Sequence, residues 1–503
     1  MKKLFISIVI LLILSSISAR EWISFDSSLE RESRVNVVAS DDNRLILDIE
    51  VPGMYLQDVT ENGQLYQRIE MIEGRTTHDV GLPELPMITR IIGIPENQNI
   101  RVKVLNTSTI VLNNYNIYPL QTPKIDGDTS SHGFVMDSKF YISGKTYPST
   151  NAFVDNIGIW RDVKIGGFHF IPFNFDTGRK TLEVTTSVRV EIEFYGYDNK
   201  FVLSKDKNIT PDFYNMYNSA LINFSSMGYQ IDNNRDVSIK YLIVTNTNAL
   251  ASIQPFAEYK NREGYGVEVR ILEDGFETAE QIKDYIIQLY NSDDLEYVLM
   301  VGDAYPNGSG GPDNVPMYFW SGGGGSSWSD SWYSCMGGNT DYYADIAIGR
   351  ITYDNITELD HQMQKLMDFY QIPDQTTNWG ENSILVAHSE DYPLKYTQCK
   401  QQIMDFPYSI QTPIFTPCYG GAGATNQDII DWVNNTSGGI FNYRGHGSAT
   451  ELWQWGASGS FTVTHVNQLT NDNRNFVMFD VCCDNMDIVA HPGDCLAESF
   501  MKA

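Results

Sequence analysis

Positive charge is what this chain has least of. Its 35 Lys and Arg stand against 63 Asp and Glu, a formal net charge of −28. A surface that acidic repels phosphate backbones and anionic headgroups, which argues against nucleic acid or an anionic membrane as the main partner. Long apolar runs are missing too. Past Leu14, no stretch is long and apolar enough to span a bilayer. Cysteine is sparse, with six in 503 residues and none before Cys335. That excludes the dense disulfide framework of a small secreted module. If one of the six is a nucleophile, at least one of the other five is unpaired. The glycine run Gly322–Gly325 has no Lys-Ser/Thr after it, so it is not a phosphate loop. No Gly-x-Ser-x-Gly lies between an expected strand and helix, which removes the serine-hydrolase elbow.

What is present describes a globular, exported chain. Hydrophobic residues make up 42% and charged residues 19%, enough apolar material for packed cores. The length suits two to four domains. Lys2 and Lys3, the apolar or small run Leu4–Leu14 and the small residues of Ser15–Ala19 form a signal peptide over 1–19. The mature chain is then expected to begin near Arg20 as a secreted, extracellular or surface-associated protein without a transmembrane segment.

Residues 20–227 read as mostly β. Val184, Val188, Val190, Ile192 and Phe194 alternate with polar residues, the mark of a half-buried antiparallel strand. Arg44–Ile49, Met87–Ile94 and Arg101–Val104 add further strands between Gly/Pro turns. Residues 228–240 are polar and turn-prone and are expected to be a linker. The period then changes. Strands are expected at 241–244, 267–271 and 297–301, with helices at 253–262 and 278–290, the latter opened by a Thr278/Gln281 capping box. This repetition predicts a parallel, right-handed α/β layer over 241–380. Residues 306–340, rich in Gly, Ser, Asn and Trp, read as a functional loop. A second α/β unit, 381–503, starts with the strand 384–388 and has helices near 396–404 and 426–434.

The chemistry concentrates in Gly438–Asn485. Two short apolar runs, Ile440–Arg444 and Phe476–Val481, read as buried strands. Each ends in a reactive side chain: His446 in the first case, Cys482 or Cys483 in the second. Open α/β sheets carry their chemistry at the carboxyl ends of the strands. Neighbouring strands would therefore set an imidazole beside a thiol and help form the attacking thiolate. The backbone N–H groups of Gly447 and of the nucleophile can hold an oxyanion. Cys483 is favoured as nucleophile because it comes last, at the turn into Asp484-Asn485; strand parity alone leaves Cys482 open. A zinc site from Cys482, Cys483, His491 and Cys495 is the rival reading, though the spacing fits no usual finger. His388, at the end of its strand, is a second candidate site histidine.

Tyr443-Arg-Gly-His446-Gly-Ser448, Thr464-His-Val-Asn-Gln-Leu-Thr470, Phe479-Asp-Val-Cys-Cys483 and Cys495–Met501 resemble the matching runs of the gingipain family of secreted bacterial cysteine peptidases, of the caspase-like clan. Tyr297–Asp303 and Asp341–Arg350 extend the resemblance, and residues 20–227 are similar to the family's prosegment. The resemblance implies an α/β caspase-like catalytic domain of two subdomains, parallel sheets flanked by helices, behind a β-rich prosegment. It implies a cysteine endopeptidase made as a zymogen, acting on protein or peptide substrates, with its own prosegment as intramolecular inhibitor. The chemistry needs no cofactor, and a structural calcium has no identifiable place. The resemblance also lays Cys483 on the nucleophile and Asp345 on the third catalytic group. The family's peptidase domain runs on well past its nucleophile, so a chain stopping at Ala503 implies an incomplete second subdomain. The alternative is a catalytically silent binding or surface protein that keeps the fold.

Overall fold

A computed structural model describes residues 20–27, 30–123, 133–198, 208–232, 239–275, 278–306, 314–322, 325–338, 340–371, 379–406, 413–436, 438–471, 474–489 and 493–503. Residues 1–19, expected from the sequence to be a signal peptide, lie outside these. The chain forms two compact units, Met1–Asn233 and Asn234–Ala503.

The first unit is antiparallel β. Its spine is the strand Thr181–Tyr195, paired with Arg44–Glu50 and with Asn99–Asn113. The alternation seen in the sequence is the cause: Val184, Val188, Val190, Ile192 and Phe194 are all buried. They pack with Leu45, Leu47 and Ile49 from the partner strand. Ile88–Ile94, Val163–Phe170 and Ala152–Trp160 form a further sheet over the same core.

The second unit holds two four-stranded parallel sheets. In the first, the order is Gly266–Ile271, Ile239–Thr245, Tyr297–Val301, Ala347–Ile351. Its central strands are apolar on both faces because helices cover both. Leu242, Val298 and Met300 meet Ile282, Ile286 and Leu289 of the helix Ala279–Asp293 on one side. Ile243, Leu299 and Val301 meet Ile253, Phe256 and Leu359 on the other. The Thr278/Gln281 capping box is formed. In the second sheet the order is Ile414–Tyr419, Asn382–Ala387, Ile440–Arg444, Val477–Val481. Its core joins Ile384, Val386, Phe441 and Tyr443 to Ile429, Val433 and Trp455.

Two regions differ from expectation. The presumed loop 306–340 contains, in its described part, a hairpin of Asn314–Gly322 with Gly325–Ser329. Aromatic packing overrides the glycine-rich composition there. Trp332 stacks on Tyr318 at 3.7 Å, and the buried Lys283 ammonium donates to the carbonyls of Trp332, Tyr333 and Cys335. Arg350 pins the hairpin from below, pairing with Asp330 at 2.7 Å and donating to Val315 O at 2.9 Å. The expected linker 228–240 has structure at both ends. Gln230–Ile231 pairs with Asn208–Ile209. Lys240 lies in the first strand of the second unit, bound to Asp294 at 3.2 Å.

Candidate active site

The strands Ile440–Arg444 and Val477–Val481 are parallel neighbours, with Arg444 opposite Val481 as the last pair. A bond from Gly445 N–H to Val481 O, 3.2 Å, closes the ladder. His446 and Cys483 each lie two residues beyond that pair. Parallel register therefore brings both sequences to the same edge of the sheet.

His446 is held by its surroundings. Its carbonyl accepts from Tyr443 Oη at 2.8 Å and from Trp453 N–H at 3.1 Å. Its Nε2 lies 2.6 Å from Glu390 Oε2 and 3.3 Å from Tyr396 Oη. The His388 ring meets it edge-on, centroids 4.7 Å apart at 89°. Glu390 also accepts from Lys395 Nζ at 2.6 Å. Partial burial works against its ionisation, but hydrogen bonds from Lys395 and His446 outweigh that and hold the carboxyl at about 2. Glu390 was not picked out from the sequence. The one signal was its place two residues after His388, just past a strand end.

The two cysteines differ as strand geometry requires. Along Val477–Val481 exposed residues alternate with half-buried ones, and the alternation runs on through half-buried Cys482 to exposed Cys483. Cys482 Sγ donates to Asp480 Oδ1 at 3.0 Å and contacts Asn485 Oδ1. Burial first, then the Asp480 carboxylate, pushes its thiol far above the ordinary range. Gly447 packs against this turn: a β-carbon there would lie 2.5 Å from Cys482 Sγ and 2.6 Å from Cys483 O. Gly447 faces Leu452 across an antiparallel pair whose bond runs from Trp453 N–H to His446 O. That pattern leaves the Gly447 N–H outside the ladder.

Asp345 sits in the other sheet's surroundings. It is buried just before the strand Ala347–Ile351, where Oδ2 accepts Met336 N–H at 2.7 Å and its own N–H donates to Ser334 O at 2.8 Å. The carboxylate in hydrogen-bond contact with His446 is that of Glu390. A cavity of about 1020 Å³ is lined by Asp480, Cys482 and Asn485, with neither Cys483 nor His446 in its wall.

His388, Glu390 and His446 bring one potential ligand atom each within 4.8 Å of one another. However, His388 Nδ1 accepts the Glu390 N–H at 2.9 Å, so Nε2 carries the proton of the neutral ring and has no lone pair to give. With Lys395 also on Glu390, the trio suits proton handling better than cation binding. In the rival cysteine cluster, Cys495 is fully buried and caps the final helix, its N–H donating to Glu498 at 2.8 Å. His491 lies outside the described residues.

A histidine and an exposed cysteine thus stand just past the ends of adjacent parallel strands. The chain belongs to peptidase family C25, whose model matches residues 234–503, and the model of that family's propeptide matches residues 26–231. Gingipain R2 of Porphyromonas gingivalis is 26% identical over 515 residues, covering 100% of this chain and 67% of that protein. Gingipain R1 of the same organism is 27% identical over 442 residues, 86% of this chain and 42% of that protein. The chain thus spans under half the length of gingipain R1. Among solved structures, the Arg-specific cysteine proteinase gingipain R aligns at 28% identity with a TM-score of 0.46, over 55% of this chain and 61% of that one.

Proposed function

We propose that the protein is a secreted cysteine endopeptidase, made as a zymogen, with Cys483 as nucleophile and His446 as its acid–base partner. The observation that carries this is the placement of both residues two positions past one shared strand pair, with a carboxylate on the imidazole. Cys483 is the exposed thiol, whereas burial first and Asp480 second push the Cys482 thiol well above the ordinary range.

The steps follow from that geometry. Cys483 Sγ gives its proton to His446 and attacks the scissile carbonyl carbon. The oxyanion is received by the N–H groups of Gly447 and Cys483. Collapse breaks the C–N bond; the leaving amine takes the proton from His446, and a thioester remains. His446 then deprotonates water, which attacks the thioester and frees the acid and the thiol. Glu390, bonded to Nε2, fixes the ring's orientation and stabilises the imidazolium. The propeptide match over 26–231 supports the first unit as the segment that holds the enzyme latent. The basic, apolar and small segments of residues 1–19 support export.

The test is labelling by a peptidyl electrophile, mapped by mass spectrometry, alongside hydrolysis of a protein substrate before and after limited proteolysis. Labelling at Cys483 with hydrolysis is expected. Labelling elsewhere, or no hydrolysis in either form, overturns the reading.

A further inference from the structure

His388 is buried at 6% exposure and takes no step in the mechanism above. It lies just past the strand Asn382–Ala387, its N–H bonded to Arg444 O at 3.1 Å. Gly445 makes room for it: a β-carbon there would lie 2.5 Å from His388 Cβ. Its Nδ1 accepts the backbone N–H of Glu390 at 2.9 Å. Its ring meets His446 at 4.7 Å and Tyr396 at 5.7 Å, both nearly perpendicular. Nε2 meets no partner at full hydrogen-bond geometry among the described residues, and the Trp453 backbone is the nearby group that favours a proton on the ring.

We propose that His388 is a positioning residue for the catalytic imidazole: through Nδ1 it fixes the backbone of Glu390, and through its ring it fixes the plane of His446. One neutral side chain thus sets both the carboxylate and the imidazole that the carboxylate orients. This rests on the peptidase reading above.

The arrangement works only while His388 is neutral. Protonation at Nδ1 abolishes the acceptor for Glu390 N–H and sets a cation against His446, disfavouring its imidazolium form. The charged groups facing His388 are His446, Glu390 and Lys395, with the Tyr396 hydroxyl beside them. Burial, then His446, lowers its pKa, with Glu390 pulling the other way and Lys395 assisting. The neutral form is therefore kept to lower pH than for a free histidine. Below that point the site loosens.

The experiment uses the full chain after activation, with His388→Ala and His388→Asn. Steady-state hydrolysis is followed against pH, and so is the rate at which iodoacetamide alkylates Cys483. His388→Ala is expected to lose kcat by roughly 10- to 100-fold, as for a misplaced catalytic group, with KM little changed. In His388→Asn the amide oxygen can replace Nδ1 as acceptor, so most of kcat should return. Because Asn does not titrate, one protonation step should vanish from the acid limb of both profiles. Wild-type kcat in His388→Ala overturns the proposal. So does a His388→Asn that melts like wild type yet is as slow as His388→Ala, or one that keeps the wild-type acid limb. Alkylation reads the thiolate without turnover, which separates the two readings. A wild-type chain that never cleaves peptides but shows a His388-dependent acid limb fails the peptidase reading alone. One that cleaves with a His388-independent profile fails this inference alone.

Discussion

Glu390 Oε2 lies 2.6 Å from His446 Nε2, across 56 residues of sequence. The carboxyl is held at about 2 against an ordinary 4.5. Its share of stability is therefore complete above about 4.5 and is lost only as the pH falls toward 2. Acid inactivation at higher pH must come from other groups. Glu390→Gln should lower kcat on the order of 10²-fold with KM nearly constant. Kinetics and a melting curve check this; unchanged turnover in a folded variant would remove Glu390 from the site. Asp345→Asn is the companion measurement, expected to leave kcat closer to wild type because its carboxylate is spent on Met336 N–H.

The cysteine pair should separate cleanly. Cys483→Ala is expected to abolish hydrolysis and electrophile labelling. Cys482→Ala should keep most of both, with a lower melting temperature because Asp480 and Asn485 lose their shared donor. A label on Cys482, or activity in both single variants, would reverse the assignment.

Gly447→Ala should silence the site without unfolding the protein. Its methyl would stand 2.0 Å from Asn485 Oδ1 and 2.6 Å from Cys483 O, so the cysteine turn must move. Loss of turnover with near-native circular dichroism is expected; full turnover would show that the turn yields without cost.

Lys400 offers a pH test of stability. Burial lowers its ammonium from 10.5 to about 8, despite Cys399 and Asp480 favouring the charge. The unfolded chain then binds more protons between those values, so stability should rise as pH goes from about 8 to 10.5. The shift corresponds to ~3 kcal/mol at most. Lys400→Met should flatten the rise in denaturant titrations at the two ends of that window. An unchanged slope would mean that the ammonium is not desolvated.

Activation should follow a cut between the units. Arg235 lies among residues 233–238, outside the described structure, whereas Lys240 is in a strand and paired with Asp294. Trypsin is expected to cut after Arg235 in preference to Lys240 and to raise activity; N-terminal sequencing reads the site. A fully active, uncut chain would contradict this.

Much of this was legible in the sequence where local pattern and tertiary demand coincide. Val184 to Phe194 alternates because one face of its strand is core, and the structure buries those residues. The runs ending at Arg444 and Val481 are short and bounded and pair as parallel neighbours. The second, however, is not the buried strand its apolar residues suggested: it is the end strand of its sheet among the described residues, with Val477, Phe479 and Val481 exposed. Glu390 was hidden because nothing local marks it: its meaning comes from His446, brought to it by sheet register. The hairpin at 314–329 was hidden for the opposite reason. Its glycines and serines speak for irregular chain, whereas contacts distant in sequence, the stacking of Tyr318 on Trp332 and the bonds from Arg350, hold it regular.

The strand that delivers Cys483 is the last of its sheet and, among the described residues, pairs on one side only. Val477, Phe479 and Val481 stand 48%, 51% and 55% exposed along it. Such an edge templates any extended peptide, including another copy of itself. Long-range repulsion between copies, at −28 charges each, opposes that zippering, and dissolved ions screen it within a few ångströms at high ionic strength. Shelf life should therefore depend on the storage buffer. Concentrated stocks should remain monodisperse in dilute salt and turn cloudy in brine, with the reactive thiols drawn into the aggregate.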